Sequence, residues 1–164
     1  MKPIKIRDYQ PEDLENIVQL WYGTWHQTFP HLQHPQTYSE WKQKFYELAE
    51  NGDIFVTEVE NSIAGFAVIL TKEQCLSQLF VDKNYQNLGI GSALLNVAKR
   101  LCPQGLNLYT LQENLKARAF YEKHGFQARK FSINEFNGQP NVEYYWEPEP
   151  VLASLSFNSL EKLS

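Results

Sequence analysis

Cysteine and basic charge are both scarce in this chain of 164 residues. The two cysteines, Cys75 and Cys102, are too few for a disulfide framework and lack the Cys-x-x-Cys spacing of a zinc site, so both are expected as reduced thiols. Fifteen Lys and Arg against 19 Asp and Glu leave a formal net charge of −4. That balance excludes the basic stripe with which a nucleic-acid binder neutralises phosphates, and tolerates a cationic substrate. No stretch approaches the roughly 20 apolar residues of a membrane span, and the opening "MKPIKIRDYQ" lacks a signal peptide's apolar run. The expectation is a soluble, cytoplasmic protein with neither nucleic acid nor membrane as partner. Repeats, low-complexity stretches and long linkers are lacking too. Residues 1–147 are therefore expected as one domain, and 148–164 as a tail that is either frayed or a short docked helix.

Aromatic residues are abundant: four Trp, nine Tyr and ten Phe can line a pocket as well as fill a core. The apolar periodicity begins with a strand, "IKIRDY", and a helix, "QPEDLENIVQLWYGTW", in which Leu14, Ile17, Val18, Trp21 and Trp25 share one face. "HQTFPHLQHPQ" reads as a loop, followed by a second helix ending near Gly52. Three strand-forming runs, "DIFVTEVE", "IAGFAVILT" and "QCLSQLFVD", suggest an antiparallel meander. Helix and strand then alternate: "LGIGSALLNVAKRL", "LNLYTL", "NLKARAFYEKHG", "FQARKFSI" and "VEYYWE". The pattern predicts an α+β fold, a mixed sheet with flanking helices.

"YQNLGIGSALL" places Gly89 and Gly91 at the start of a helix. The first amides there lack intrahelical acceptors and the dipole is positive, so an anion can bind; equally, the glycines can serve only a tight turn and close packing. A P-loop is excluded, because no Lys-Ser or Lys-Thr pair follows, and Leu94 stands where a dinucleotide fingerprint has its third glycine. Further on, "NLKARAFYEKHGF" is a helix with Asn114 as its cap and Gly125 as its terminator.

The run "LSQLFV", the gap "DKNY" and then "QNLGIG" is similar to the Gln-x-x-Gly-x-Gly motif of the GNAT superfamily of acyl-CoA N-acyltransferases. Asn-x-x-Ala-x-x-Phe-Tyr-x-x-x-Gly-Phe, from Asn114 to Phe126, resembles the helix after that family's fifth strand, in the family's order and spacing. The resemblance implies a central twisted sheet, mostly antiparallel, of about seven strands flanked by about four helices. It implies acetyl-CoA as co-substrate, with the pyrophosphate on the amides of Gln86, Asn87, Leu88, Gly89, Ile90, Gly91 and Ser92. Asn114 would contact the pantetheine arm. A bulge in the fourth strand would splay it from the fifth, so that pantetheine adds along Leu79, Phe80 and Val81. The amide of Leu79 would stabilise the oxyanion and Tyr121 would protonate the departing thiolate.

Acetyl transfer to an amine also needs the amine neutral. Several members of the family carry a glutamate four residues before the oxyanion amide; here that position is Cys75. Glu73 faces the same side if the strand is regular, Tyr109 and Glu113 are other candidates, and a water chain is the alternative to a protein base. An acetyl-cysteine intermediate on Cys75 is the less favoured route, because no neighbour in sequence lowers its pKa. His26, His31 and His34 lack a carboxylate or thiolate at metal-site spacing, so no metal is expected. The resemblance makes the helix-pair loop and the final strands the walls of the acceptor cleft, with Trp25, Phe29, His31 and Tyr144 as candidates to touch substrate. The expected activity is acetylation of a primary amine, on a small molecule or on a protein. A non-catalytic acyl-CoA binding module is the alternative, and "VEYYWE" is a possible sheet edge for a homodimer.

Overall fold

The computed structural model describes residues 3–149; the expectation for the tail falls almost wholly on residues outside them. The elements in chain order are β1 (Ile4–Asp8), α1 (Leu14–Thr28), α2 (Tyr38–Asn51), β2 (Asp53–Val59), β3 (Ser62–Leu70), β4 (Cys75–Val81), α3 (Ile90–Leu101), β5 (Leu106–Leu111), α4 (Leu115–Lys123), β6 (Gln127–Ile133) and β7 (Pro140–Trp146). Pro11 starts a short 3-10 turn, Pro11–Asp13, rather than α1 itself, and α1 runs three residues past Trp25. The Thr37 side chain caps α2 by accepting from the Glu40 amide at 3.3 Å.

One seven-stranded sheet has the order β1-β2-β3-β4-β5-β7-β6. Every neighbouring pair is antiparallel except β4 and β5. This is the mixed, mostly antiparallel α+β architecture expected. It corrects one expectation: β7 pairs with β5 on one side and β6 on the other, so "VEYYWE" is internal and β6 forms that edge.

The period-two alternation of β3 divides the interior into two layers. Phe66 and Val68 pack with Trp21, Trp41 and Phe45 under α1 and α2. Ala67 and Ile69 pack with Leu94 and Leu95 of α3, alongside Tyr121 of α4. The Arg7 guanidinium fixes the start of α1 to the sheet through two 2.8 Å bonds to the Asp13 carboxylate and one, also 2.8 Å, to Glu58. Among the described residues, no helix is long and apolar enough to cross a membrane.

Candidate active site

The sheet opens at one place. β4 and β5 pair only at Cys75 with Asn107 and Leu76 with Leu108. On the other side of β4, Ile69 faces Leu76 while Val68 faces Gln78, which leaves Ser77 as an extra residue. Such a bulge bends its strand and increases the local twist, and parallel pairing ends where it occurs. Beyond it, Leu79, Phe80 and Val81 face Tyr109, Thr110 and Leu111 across a cleft of about 1440 Å³. That exceeds the roughly 300–1,000 Å³ of a site for one small ligand and fits two substrates.

Backbone direction along β4 follows from two contacts. The Asp82 amide donates to Ala64 O at 2.8 Å, toward β3, and Val81 O accepts from Gln86 Nε2 at 3.1 Å, away from it. The β3–β4 register is unbroken from Val81 back to Gln78. Successive residues alternate, so the amides of Leu79 and Val81 face the open edge, and those of Gln78 and Phe80 face β3.

At one end of the cleft, the Asp82 side chain accepts from the Asn84 amide at 2.9 Å and turns the chain. Asn87 (φ 66°) and Gly89 (φ 83°) are both left-handed. The Ala93 amide donates to Gly89 O at 3.0 Å, so the amides of Ile90, Gly91 and Ser92 have no intrahelical acceptor. A Cβ on Gly89 would meet no protein atom within 4 Å, so within the fold itself only the left-handed backbone calls for glycine there; at Gly91 it would lie 3.4 Å from the Phe120 ring. Gln86, Asn87, Gly89, Ile90, Gly91 and Ser92 line the cleft. The Leu88 side chain is 53% exposed and is not among the lining groups, leaving only its backbone to the turn. Sequence reasoning missed Lys116, whose ammonium donates to Gln86 Oε1 at 2.8 Å. Its signal was a basic residue two positions after the Asn114 cap.

Asn114 does cap α4, its Oδ1 accepting from the Ala117 amide at 3.1 Å, and it lines the cleft. Tyr121 lines the cleft with its ring in the core, and burial raises its phenol well above the ordinary range. The hydroxyl therefore stays protonated throughout the neutral range. Burial pushes the Cys75 thiol up to about 12, with Glu73 adding to the effect, so this cleft-lining thiol is not a thiolate nucleophile.

The structure corrects the placement of Glu73. Thr71–Glu73 forms a 3-10 turn, and Gln74 (φ 52°) is left-handed, so the strand does not extend back through Glu73. Glu73 is exposed and does not line the cleft. Tyr144 is corrected as well: it is 0% exposed, in the layer beneath α3 and α4. Its hydroxyl accepts from Arg118 Nε at 2.9 Å and donates to Glu122 Oε1 at 3.3 Å. Strand parity at the end of β7 turned this side chain inward, away from the acceptor wall. His31 also stands outside the cleft lining, its Nε2 2.6 Å from Glu113 Oε2, which commits that carboxylate.

Trp25 and Phe29 do line the cleft, joined by His34 and Trp41 from the helix-pair loop and α2 and by Phe136 from the β6–β7 turn. The last three were missed, since a loop histidine and a turn phenylalanine carry no periodic signal. His34 is pushed down to about 4, chiefly by burial. Among the described residues, no three His, Cys, Asp or Glu side chains are grouped to hold a metal ion.

A seven-stranded sheet split beside a glycine turn is the arrangement that the resemblance to acetyltransferases implied, and comparison with known proteins agrees. A family model described as "Acetyltransferase (GNAT) domain" matches residues 50–128. Over those residues the chain carries a GNAT acetyltransferase domain, and it is an acetyl-CoA dependent N-acetyltransferase. It is 29% identical over 154 residues to "Uncharacterized N-acetyltransferase YafP" of Escherichia coli, covering 92% of this chain and 99% of that one. It is 25% identical over 149 residues to "Peptidyl-lysine N-acetyltransferase YjaB" of Salmonella typhimurium, covering 91% and 95%. Among solved structures, the PaiA N-acetyltransferase of Thermoplasma acidophilum in complex with coenzyme A superposes with a TM-score of 0.73 at 18% identity, covering 89% of this chain and 99% of that one.

Proposed function

We propose that this protein transfers the acetyl group of acetyl-CoA directly to a primary amine of a small molecule, with Leu79 and Tyr121 at the reacting centre. The observation that carries this reading is the open edge of β4, where the Leu79 amide faces a cleft that Tyr121 also lines.

The amides of Gln86 to Ser92, with the Lys116 ammonium beside them, would hold the pyrophosphate, since unpaired helix-start amides and a nearby cation both favour an anion. The free edge from Leu79 to Val81 would hold the pantetheine arm as an added strand, with Asn114 beside it. Acetyl-CoA, when bound, supplies the activated thioester. The Leu79 N–H would then hold the charge developing on the thioester oxygen, a role worth roughly 3 kcal/mol in other enzymes. The Tyr121 hydroxyl would give its proton to the sulfur as the amine's nitrogen displaces it, and the proton lost by the amine restores the balance. With Glu73 off the strand and Glu113 held by His31, that proton passes to water in the cleft. The neutral Cys75 thiol supports transfer in one step rather than through the protein.

A small acceptor is favoured because buried rings, Trp25, Phe29 and Trp41, line the acceptor side. A lysine side chain of a protein is the second reading, favoured by the activity in the name of the Salmonella relative. Thiol release with DTNB, across a panel of small primary amines and lysine peptides, decides between them. Turnover on small amines is expected; turnover confined to peptides overturns the small-molecule reading.

A further inference from the structure

The cleft's acceptor end holds buried polar groups that the fold itself does not satisfy. His34 is 9% exposed and Trp41 1%, yet His34 Nε2 and Trp41 Nε1 have no hydrogen-bond partner among the described residues. A buried donor left unpaired is costly, and such groups are uncommon outside sites that receive a ligand or water. The Gln36 amide donates to His34 Nδ1 at 3.0 Å, so the proton of the neutral ring sits on Nε2 and makes it a donor, not a base.

The two donors are neighbours in a box of rings. His34 lies 4.6 Å from Trp41, 4.8 Å from Trp25 and 4.8 Å from Phe136, centroid to centroid. All four residues line the cleft. Asn141, 5% exposed in the same lining, has its Oδ1 unpartnered as well.

We infer that the acceptor end recognises a flat, neutral group carrying a carbonyl, whose oxygen accepts from His34 Nε2–H and Trp41 Nε1–H, on the end of the substrate remote from its amine. The aromatic walls select flatness. Two unpartnered N–H donors oppose a cation, which the rings alone would have welcomed. A carboxylate would have to shed its water beside a histidine that burial keeps uncharged, so a neutral carbonyl is the better match. A carboxamide adds N–H groups that can serve Asn141. This inference rests on the amine-acetylation reading above and names its substrate class.

Three matched amines test it: benzylamine, para-carbamoylbenzylamine and para-carboxybenzylamine. Equilibrium binding is read by quenching of tryptophan fluorescence, and turnover by thiol release from acetyl-CoA. The wild-type protein is expected to bind the carbamoyl compound about tenfold more tightly than benzylamine, the worth of one buried hydrogen bond. In His34→Ala that preference should shrink to within about twofold, while His34→Gln, which keeps an N–H donor, should retain part of it. Coenzyme affinity, set at the other end of the cleft, checks that each variant is folded; if His34→Ala fails that check, Trp41→Phe carries the same comparison. Equal wild-type binding of the carbamoyl and parent amines, preference for the carboxylate, or a preference that survives loss of the donor overturns the inference. Selective binding without turnover would support this pocket and count against acetylation of these amines. Turnover of all three without selectivity would do the reverse.

Discussion

The Lys116 ammonium donates to Gln86 Oε1 across 2.8 Å, tying the first turn of α4 to the residue that opens the glycine turn. The two sequence motifs thus meet side by side, and a cation stands next to amides that have no acceptor of their own. Lys116→Ala is expected to weaken acetyl-CoA binding about five- to tenfold, the worth of one partly screened charge contact. Calorimetry at two ionic strengths checks this: the variant's affinity should depend less on salt than the wild type's. An unchanged affinity and salt slope would remove Lys116 from the phosphate site.

Gly89 and Gly138 provide a matched pair. Both are left-handed, at φ 83° and 74°, and a Cβ on either would meet nothing within 4 Å. Alanine at either should cost about 1 kcal/mol of stability for the backbone conformation alone. Only Gly89→Ala should also raise the KM for acetyl-CoA, because its Cβ would occupy the approach to the free amides. Denaturant melts and coenzyme titrations of the two variants separate strain from binding.

What the sequence made legible here is what local chemistry decides. Alternation, caps and glycine positions placed the strands and helices, and the spacing of Asn114 to the glycine turn located the coenzyme end. The failures share a cause: each depended on a backbone detail without a residue signature. Gln74 in a left-handed conformation takes Glu73 off the strand, although glutamine has no preference for that region. Parity on β7 buries Tyr144, and parity could not be counted until the Pro140 start of the strand was known. His34 and Phe136 are brought to the cleft by loops, and their meeting is a tertiary fact.

Tyr121→Phe removes one oxygen while leaving a ring that can pack against Phe126 and Tyr144, whose centroids lie 5.7 and 6.3 Å away. If the hydroxyl protonates the leaving sulfur, kcat should fall by about a hundredfold with the acetyl-CoA KM little changed. Stability should not fall by more than about 0.5 kcal/mol, because that hydroxyl has no hydrogen bond to lose among the described residues. A purely structural role would show the opposite, a lower melting temperature with kcat intact.

His34 links the acceptor pocket to acid stability. Its folded-state value, about 4, lies below the unfolded 6.5, so between those limits the unfolded chain binds the extra proton. Stability is therefore full above about pH 6.5 and falls as pH drops toward 4, by up to roughly 3 kcal/mol. His34→Gln should flatten the melting temperature across that window. Asp13, held low chiefly by its hydrogen bonds from Arg7, should leave a further loss in both proteins at lower pH. A wild-type curve that is level from pH 6.5 to 4 would contradict the burial assigned to His34.

Glu73 is off the strand, Glu113 is engaged by His31 and the Cys75 thiol is held neutral, so these three give the cleft no carboxylate or thiolate to act as base. The substrate is then expected to arrive already neutral, with the reactive fraction set by the amine's own pKa. For amines of different basicity, log kcat/KM should rise with unit slope and level off at a pH that follows each amine. Tyr109 and Glu135 are the residues placed to break this pattern, since both line the cleft, and neither Tyr109→Phe nor Glu135→Gln should move the inflection. An inflection fixed at one pH for every amine, and moved or abolished in either variant, would assign the base to the protein. An inflection that tracks the amine in all three proteins assigns it to water.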